Sequence, residues 1–548
     1  MEFISPTQIA NVMLNDHFVD WIRLCNKSSD YSPSEFLQFL FNQGNSFEEK
    51  LVSKIAVKIP VVFVATRLQS KSFLVKTIEE MKKGTPIIWS APLISETKNI
   101  RGLADLLIRS DYINKLIPNT LTPEEENHGC LLSDTYHYRV IDIKFSTLPL
   151  RSDGIHLLNQ DRYKAYKAQV WLYTQMVGEI QGYYPNTAYI MGRGYNYTSN
   201  GVTFKGTHAF DKFGVVDFEN VDNDIPLKSI QAINWLRNLY KDGKNWSLQT
   251  HPELYPNMKT DACLREKTLI ANDLGEITQL WQCGVEQREL ALEKGIRSWK
   301  DPRFTAELVG FQGNKALTLN RILEVNRCEE KLLLPEKIIL PEKYRSLPGQ
   351  KEYFVDFEVF TGIFDDFTTL PLSNSVNMIF MISISWMEKS EMVCTTFYID
   401  KIDLAEEARI MKLFMKFVEE NKITHLYHWS EAEPIQWQTA LKRQNISEDI
   451  LKDKWIDLLQ LFKEIPIAIK GCFSYSLKDV VKSLNSLGFI RSKWESKTTN
   501  GSDAMLQAFN EFQKGLVLIN SEVLRDIVEY NQTDCTSLCE ILKFLRRY

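Results

Sequence analysis

The absences in this chain narrow its function first. Apolar runs are short: stretches such as Ile59–Thr66 stop well before the roughly 20 residues that span a bilayer. The first residues include Glu2, Asn11 and Asp16, with no basic segment ahead of an apolar one, so no secretory signal is expected. The nine cysteines are an odd number, scattered from Cys25 to Cys539 without a CxxC pair. That spacing signals neither a zinc ribbon nor a disulfide framework, and it points to a soluble protein in a reducing, intracellular compartment. No GxxxxGK[ST] loop occurs, which disfavours a helicase. A fixed-period repeat is missing as well, which disfavours a solenoid. Nor is there an excess of positive charge: the net charge is −5. That balance argues against a protein that coats nucleic acid, but it suits a nuclease. Clustered catalytic carboxylates lower the net charge while basic residues line the substrate path locally.

What is present fits a folded protein of several parts. The chain has 548 residues, 44% of them apolar and 25% charged, too long for one ordinary core. The clearest seam is Lys331–Gln350, where Pro335, Pro341 and Pro348 punctuate a charged stretch that reads as an extended linker. A helical pattern runs over Thr278–Trp299, with a break expected at Gly295 and Pro302. The expected division is 1–225, 226–345 and 346–548. Alternating strand and helix patterns make the first and last parts α/β, and the middle is mostly helical.

Residues Tyr138–Phe145 read YRVIDIKF. Strand periodicity puts Tyr138, Val140, Asp142 and Lys144 on one face and Arg139, Ile141, Ile143 and Phe145 on the other. A solvated surface ion pair would explain that spacing equally well, and Asp242-Gly243-Lys244 repeats it by chance. The surroundings carry more weight. Asp105 sits in the apolar segment Arg101–Ile108, and Glu48 falls on the stripe of Leu51, Val52 and Ile55 in a helix that Gly44 is expected to open, with Glu49 turned away. Gln169 and Tyr173 are i,i+4 partners on a later helix. Buried carboxylates are costly unless paired or bound to metal.

In this order the motifs G-x-x-x-E (Gly44, Glu48), G-x-x-D (Gly102, Asp105), D-x-K (Asp142, Lys144) and Q-x-x-x-Y (Gln169, Tyr173) resemble the PD-(D/E)xK nuclease superfamily. Over about residues 35–195 they are most similar to its RecB-like branch, which includes lambda-type exonucleases and CRISPR-associated nucleases. A likeness extends to RecB-like nucleases of giant-virus defence against virophages, which would place the protein in the cytoplasm, a viral factory or a virion. The resemblance implies a DNA nuclease, with exonucleolytic action on linear DNA. Asp105, Asp142 and Glu48 would hold Mg²⁺ or Mn²⁺, Lys144 would orient or help deprotonate the attacking water, and Gln169 and Tyr173 would contact DNA or support the metal site. Arg162, Lys164 and Lys167 could meet phosphates, or simply form a solvated face. The relatives with an Fe–S cluster have tightly spaced cysteines after the core; here they fall at 263, 283 and 328, so none is expected.

A second set of acids follows the seam. In Tyr353–Val359 one strand face carries Phe354, Asp356 and Glu358, two acids that repel unless a cation lies between them. Val523, Ile527, Tyr530, Asp534, Leu538 and Ile541 fall at helical steps, which puts Asp534 on an apolar stripe. D-x-E followed by Y-x-x-x-D resembles the DEDD exonucleases of the RNase H-like fold over about 350–548, including Tyr475-Ser-Leu-Lys-Asp479. The resemblance implies four metal-binding acids, with Tyr530 positioning the water. The remaining acid comes from His428–Glu433, with Glu433 favoured over Glu431 and Asp457 a further candidate. The family usually has Asp there, so the longer Glu433 puts the two-metal geometry in doubt. The expected fold class is therefore α/β, with an N-terminal PD-(D/E)xK nuclease core, a helical middle and a C-terminal RNase H-like domain. Three functions compete: DNA cleavage at the first set, which the sequence favours; 3′-exonuclease action at the second; and a non-catalytic role in binding nucleic acid or organising a homodimer.

Overall fold

The computed structural model describes residues 3–25, 34–65, 71–160, 162–346, 351–373, 377–498 and 500–548. It divides into two compact units, Met1–Cys263 with Ile363–Ser375, and Leu264–Gly362 with Val376–Tyr548. Among the described residues no helix is long and apolar enough to cross a membrane.

The first unit holds β1 (Val61–Phe63), β2 (Ile87–Ser95), β3 (Ile100–Arg109), β4 (Tyr138–Ile143), β5 (Thr147–Pro149), β6 (Thr187–Met191), β7 (Gly194–Ser199), β8 (Val202–Gly206) and β9 (Gly214–Asp217). Six of these form one sheet, in the order β1-β2-β3-β4-β6-β9, and β5, β7 and β8 form a smaller one. Strand β4 lies inside the large sheet, antiparallel to β3 and parallel to β6. Helices α1 (Glu35–Ala56) and α2 (Tyr163–Gln181) cover its two faces. Tyr138 and Val140 share a core with Ala168, Leu172 and Met176 of α2. Ile141 and Ile143 pack instead with Phe47, Leu51 and Ile55 of α1. The period-2 alternation read from YRVIDIKF is therefore real, but both faces are buried, so Asp142 is buried too.

The second unit holds β10 (Leu333–Leu334), β11 (Tyr353–Phe360), β12 (Met378–Glu388), β13 (Glu391–Tyr398), β14 (Leu426–His428), β15 (Trp455–Asp457) and β16 (Ala468–Ile469). Its main sheet runs β13-β12-β11-β14-β15. The β11–β12 and β12–β13 pairs are antiparallel, whereas β14 lies parallel to both β11 and β15. Helix α3 (Ala432–Arg443) follows β14, α4 (Leu477–Ser486) follows β16, and α5 (Glu522–Arg547) packs on β11 and β12. Ser521 caps α5 by accepting the Leu524 amide, and Ile527, Leu538 and Ile541 bury its apolar stripe.

Four expectations need correction. The middle segment is not a separate part: Ile225–Asp242 is a helix of the first unit, and the helices from Leu264 to Arg327 belong to the second. Over Thr278–Trp299 the helix is confined to Val285–Glu293, with Gly295 at φ +71° ending it. Over its described residues, 331–346, the proline-punctuated stretch is not an extended linker. Leu333, Leu334, Ile338, Leu340 and Tyr344 are buried in the second core, β10 pairs with β16, and the Tyr344 hydroxyl donates to the Asp457 carbonyl at 2.9 Å. Apolar residues between the prolines and charges drive that burial; Pro348 lies outside the described residues. Finally, Gly44 does not open a helix. It lies inside α1, which Ser34 caps by accepting the Leu37 amide.

Candidate active sites

Asp142 is the last residue but one of β4, in the large sheet of the first unit. Lys144 follows it and places Nζ 2.5 Å from Asp142 Oδ2; apart from this ion pair, neither Asp142 oxygen has a hydrogen bond. The same ammonium lies 3.4 Å from Gln169 Oε1 and 4.8 Å from the Tyr166 ring centroid. Gln169 Nε2 donates onward to the Tyr173 hydroxyl at 3.3 Å, so the i,i+4 pair on α2 does meet the strand end.

Asp105 reaches the same place through a ladder irregularity. Trp89 pairs with Leu106 and Ala91 with Ala104, while the intervening Ser90 stands at φ +55°. Both strands exchange faces there. Ile87, Leu106 and Ile108 lie in the α1 core, whereas Ala91, Leu93 and Ala104 lie in the α2 core. Irregularities of this kind re-aim a side chain, and Asp105 Oδ2 accepts the Ile143 amide of β4 at 2.7 Å. Glu48 is half-buried on α1 and accepts Trp89 Nε1 at 2.8 Å, with Glu49 exposed.

The four groups form one electrostatic set. Burial, then the Asp142 charge, holds the Asp105 carboxyl well above the usual carboxylate range, with Lys144 opposing. Burial also raises Glu48, opposed by its Trp89 hydrogen bond, and Asp142 adds to the rise. For Lys144 burial works downward, yet Asp142 and Asp105 outweigh it, so the ammonium is held protonated. Gly102 gains a packing role, since a Cβ there would stand 2.5 Å from Tyr173 Cε1 and 2.9 Å from Pro6 Cδ. Lys167 is corrected: it is fully buried, ion-paired to Asp222 at 2.5 Å and bonded to the Leu157 carbonyl, so it cannot meet a phosphate. The repeated D-x-K of Asp242–Lys244 lies at a helix end and a 3₁₀ turn, off any strand.

In the second unit the acids converge more tightly. Oxygens of Asp356, Glu358 and Asp534 all lie within 4.8 Å of one another, the group among the described residues best placed to hold a cation. Asp356 and Glu358 share a face of β11, and α5 brings Asp534 over it. Burial, then the Asp534, Glu433 and Glu358 charges, lifts Asp356 well above its ordinary range. Burial, then Asp534, pushes Glu358 up to about 8. Burial pushes Asp534 up to about 7, against Lys478 and the Trp494 indole that donates to Oδ1 at 3.2 Å. Three acids in this state cannot all ionise near neutral pH without added positive charge.

Glu433 of α3 is buried and its charge bears on Asp356, Glu358 and Asp534, whereas Glu431 is exposed. Asp457 serves elsewhere: it caps a helix through the Leu459 amide and accepts the Ser430 amide, each at 2.8 Å. Tyr530 is buried near the acids and its phenol is pushed up, chiefly by burial and then by Asp534. Several neighbours escaped the sequence reading. Asn531 donates to Asp356 Oδ2, and His428 Nδ1 stands 3.5 Å from Glu433 Oε2. Asn531 lies one helical step from Ile527 and Asp534, so its phase could have flagged it; Trp494 comes from a distant segment and carries no such signal, whereas Lys478 lies within the Tyr475–Asp479 segment of the resemblance without being singled out there. The donor set fits a divalent cation, being rich in oxygen, and Glu433 Oε2 and Asn531 Oδ1 are buried acceptors that receive no hydrogen bond.

A family model of the RNase_H superfamily, RNase_H_2, matches residues 363–546. No curated protein matches the chain. The matched segment contains Glu433, Tyr530 and Asp534 and begins just after β11, so Asp356 and Glu358 precede it. The C-terminal part of this mixed α/β protein is thus an RNase H-like domain, of a superfamily that points to nuclease-type hydrolysis. The RecB-like reading of the first half and the virophage-defence likeness draw no support from these comparisons.

Proposed function

We propose that the chain is a divalent-metal-dependent nuclease that hydrolyses phosphodiester bonds at the acid cluster of its second unit. The convergence of Asp356, Glu358 and Asp534 carries this reading. These three residues, with Glu433, would hold Mg²⁺ or Mn²⁺. The chemistry such a cation supplies when bound is a polarised phosphate oxygen and a water acidified toward neutral pH. The chain's own groups do the rest. Trp494 fixes one Asp534 oxygen and Asn531 fixes one Asp356 oxygen, which limits rotation of both carboxylates. Tyr530, held protonated, offers an O–H donor that can orient water or a phosphate oxygen.

A second reading gives the first unit its own activity, cleavage of linear DNA at Glu48, Asp105, Asp142 and Lys144. The observation in its favour is the buried Asp142 carboxylate, without hydrogen bonds and faced by a single ammonium. Because Lys144 is held protonated, it orients water and stabilises charge rather than acting as a base. Gln169 and Tyr173 hold it at the strand end. The two readings separate in one digest of end-labelled linear, circular, single- and double-stranded substrates, with Mg²⁺ or Mn²⁺ and after EDTA. Asp534→Asn should abolish the second unit's products and Asp142→Asn the first unit's. Cleavage that survives both substitutions and EDTA would remove the proposal.

A further inference from the structure

Glu433 stands where the resemblance expects the shorter Asp, so its side chain has one more torsion to hold still if the carboxyl is to bind a cation. The backbone that carries it is already pinned. β14 ends at His428, and Trp429 Nε1 donates to the Tyr475 carbonyl at 3.0 Å. Ser430 then turns the chain at φ +79°, its amide donating to Asp457 at 2.8 Å, and α3 starts at Ala432. What remains to be fixed is the Glu433 side chain.

Its Oε2 is buried and receives no hydrogen bond. The atom facing it, 3.5 Å away, is His428 Nδ1, which is also buried and without a hydrogen bond. The histidine is only 2% exposed, its ring set edge-on against Trp455 with centroids 5.5 Å apart. A buried histidine of the first unit, His137, places its Nδ1 on a backbone carbonyl instead. Each orphaned atom is costly alone, and one proton on Nδ1 satisfies both. N–H···O bonds form at about 2.7–3.2 Å, so a small closing movement joins them. The Glu433 carboxyl also meets that of Asp356, which puts it between the histidine and the acid cluster. Taking that cluster as the metal centre of a nuclease, we infer that His428 is a positioning residue for its fourth acid: Nδ1–H binds Glu433 Oε2 and leaves Oε1 for the cluster. The contact limits rotation of the longer side chain, as hydrogen bonds to metal-binding carboxylates do elsewhere.

The test is Mn²⁺ binding to the full chain by isothermal titration calorimetry, with Asp142→Asn throughout so that the first unit's set is silent. The second centre's binding is the event that a further Asp534→Asn removes. His428→Phe keeps a ring against Trp455 but removes the donor, and it should weaken that binding about tenfold. His428→Asn, whose Nδ2 takes the place of Nδ1, should restore most of it. On a Glu433→Ala background His428→Phe should cause no further loss, because the acid it positions is gone. The same order should appear in the Mn²⁺ concentration for half-maximal hydrolysis of a labelled oligonucleotide. Undiminished affinity in His428→Phe, equal losses in His428→Phe and His428→Asn, or a loss that persists on the Glu433→Ala background would overturn the inference. Circular dichroism checks folding. If His428→Phe does not fold, His428→Asn still decides, since a folded Asn variant with markedly weakened binding also overturns it. If Asp534→Asn removes no Mn²⁺ binding, the metal-centre reading of the cluster fails first, and the inference with it.

Discussion

Lys144 supplies the nearest counter-charge to a carboxylate that has no hydrogen bond of its own. Lys144→Met should therefore destabilise the metal-free protein by about 3 kcal/mol, the cost of stranding a buried charge, and Mn²⁺ should return part of it. Asp142→Asn should cost less, because it removes the charge with its partner need. Urea unfolding in EDTA and in Mn²⁺ checks both; equal stability of wild type and Lys144→Met in EDTA would show that the ion pair contributes nothing. His137 gives a pH signature. It is buried, its Nδ1 lies 2.9 Å from the His128 carbonyl, and Arg139 Nε lies 2.9 Å from its Nε2. Burial, then Arg139, lowers its pKa from 6.5 to about 4. The unfolded chain thus takes up a proton below pH 6.5 that the folded one refuses, so stability present above 6.5 is lost as pH falls toward 4. Between pH 7 and pH 5 the share of the loss due to His137 should be about 2 kcal/mol, read in urea unfolding as the difference in pH dependence between wild type and His137→Gln. At this scale the sequence was informative where charge was out of place. Asp142, Asp356 and Asp534 could be singled out because an acid on an apolar strand or stripe needs a reason. Trp494 could not, since nothing local marks a residue whose neighbours lie far away in the chain; Lys478 and His428 lie within the Tyr475–Asp479 and His428–Glu433 segments, but their own contacts leave no mark there.

Among the elements, the strands that carry the acids were legible from their period, but the bend that aims Asp105 was not. Ser90 at positive φ leaves no trace in a sequence that reads as two smooth apolar strands. The proline-punctuated stretch misled for a related reason. Its apolar residues find a strand partner, β16, more than a hundred residues later. Gly102 allows a test of how tightly these elements are fitted. Gly102→Ala should cost roughly 1–3 kcal/mol by overpacking against Tyr173 and Pro6. The double variant Gly102→Ala/Tyr173→Leu should be more stable than the sum of the two single changes. Additive thermal shifts across the cycle would mean that the two residues do not compete for space.

At the scale of the whole molecule, the chain divides into two α/β units, each with its own acidic centre, and the middle segment read from helical patterns is shared between them. That division was hidden because helices of either unit look alike in sequence; what assigns them is which core their apolar faces join. The sequence alone ranks the first centre higher, since Glu433 replaces a shorter acid in the second. The geometry adds weight to the second centre: Glu433 is buried on α3 with its charge bearing on the other three acids, and the oxygens that gather within 4.8 Å are those of Asp356, Glu358 and Asp534. Metal removal bears on both centres, so EDTA should stop all hydrolysis and Mn²⁺ restore it. The central claim is narrower and is tested by one comparison, the Mn²⁺-dependent hydrolysis of labelled oligonucleotide by Asp142→Asn and by Asp142→Asn/Asp534→Asn. The account expects the first to cut and the second to be slower by at least about 10²-fold, the scale of misplacing a reacting group by an ångström, with its fold intact by circular dichroism. Equal rates for the two proteins would contradict it.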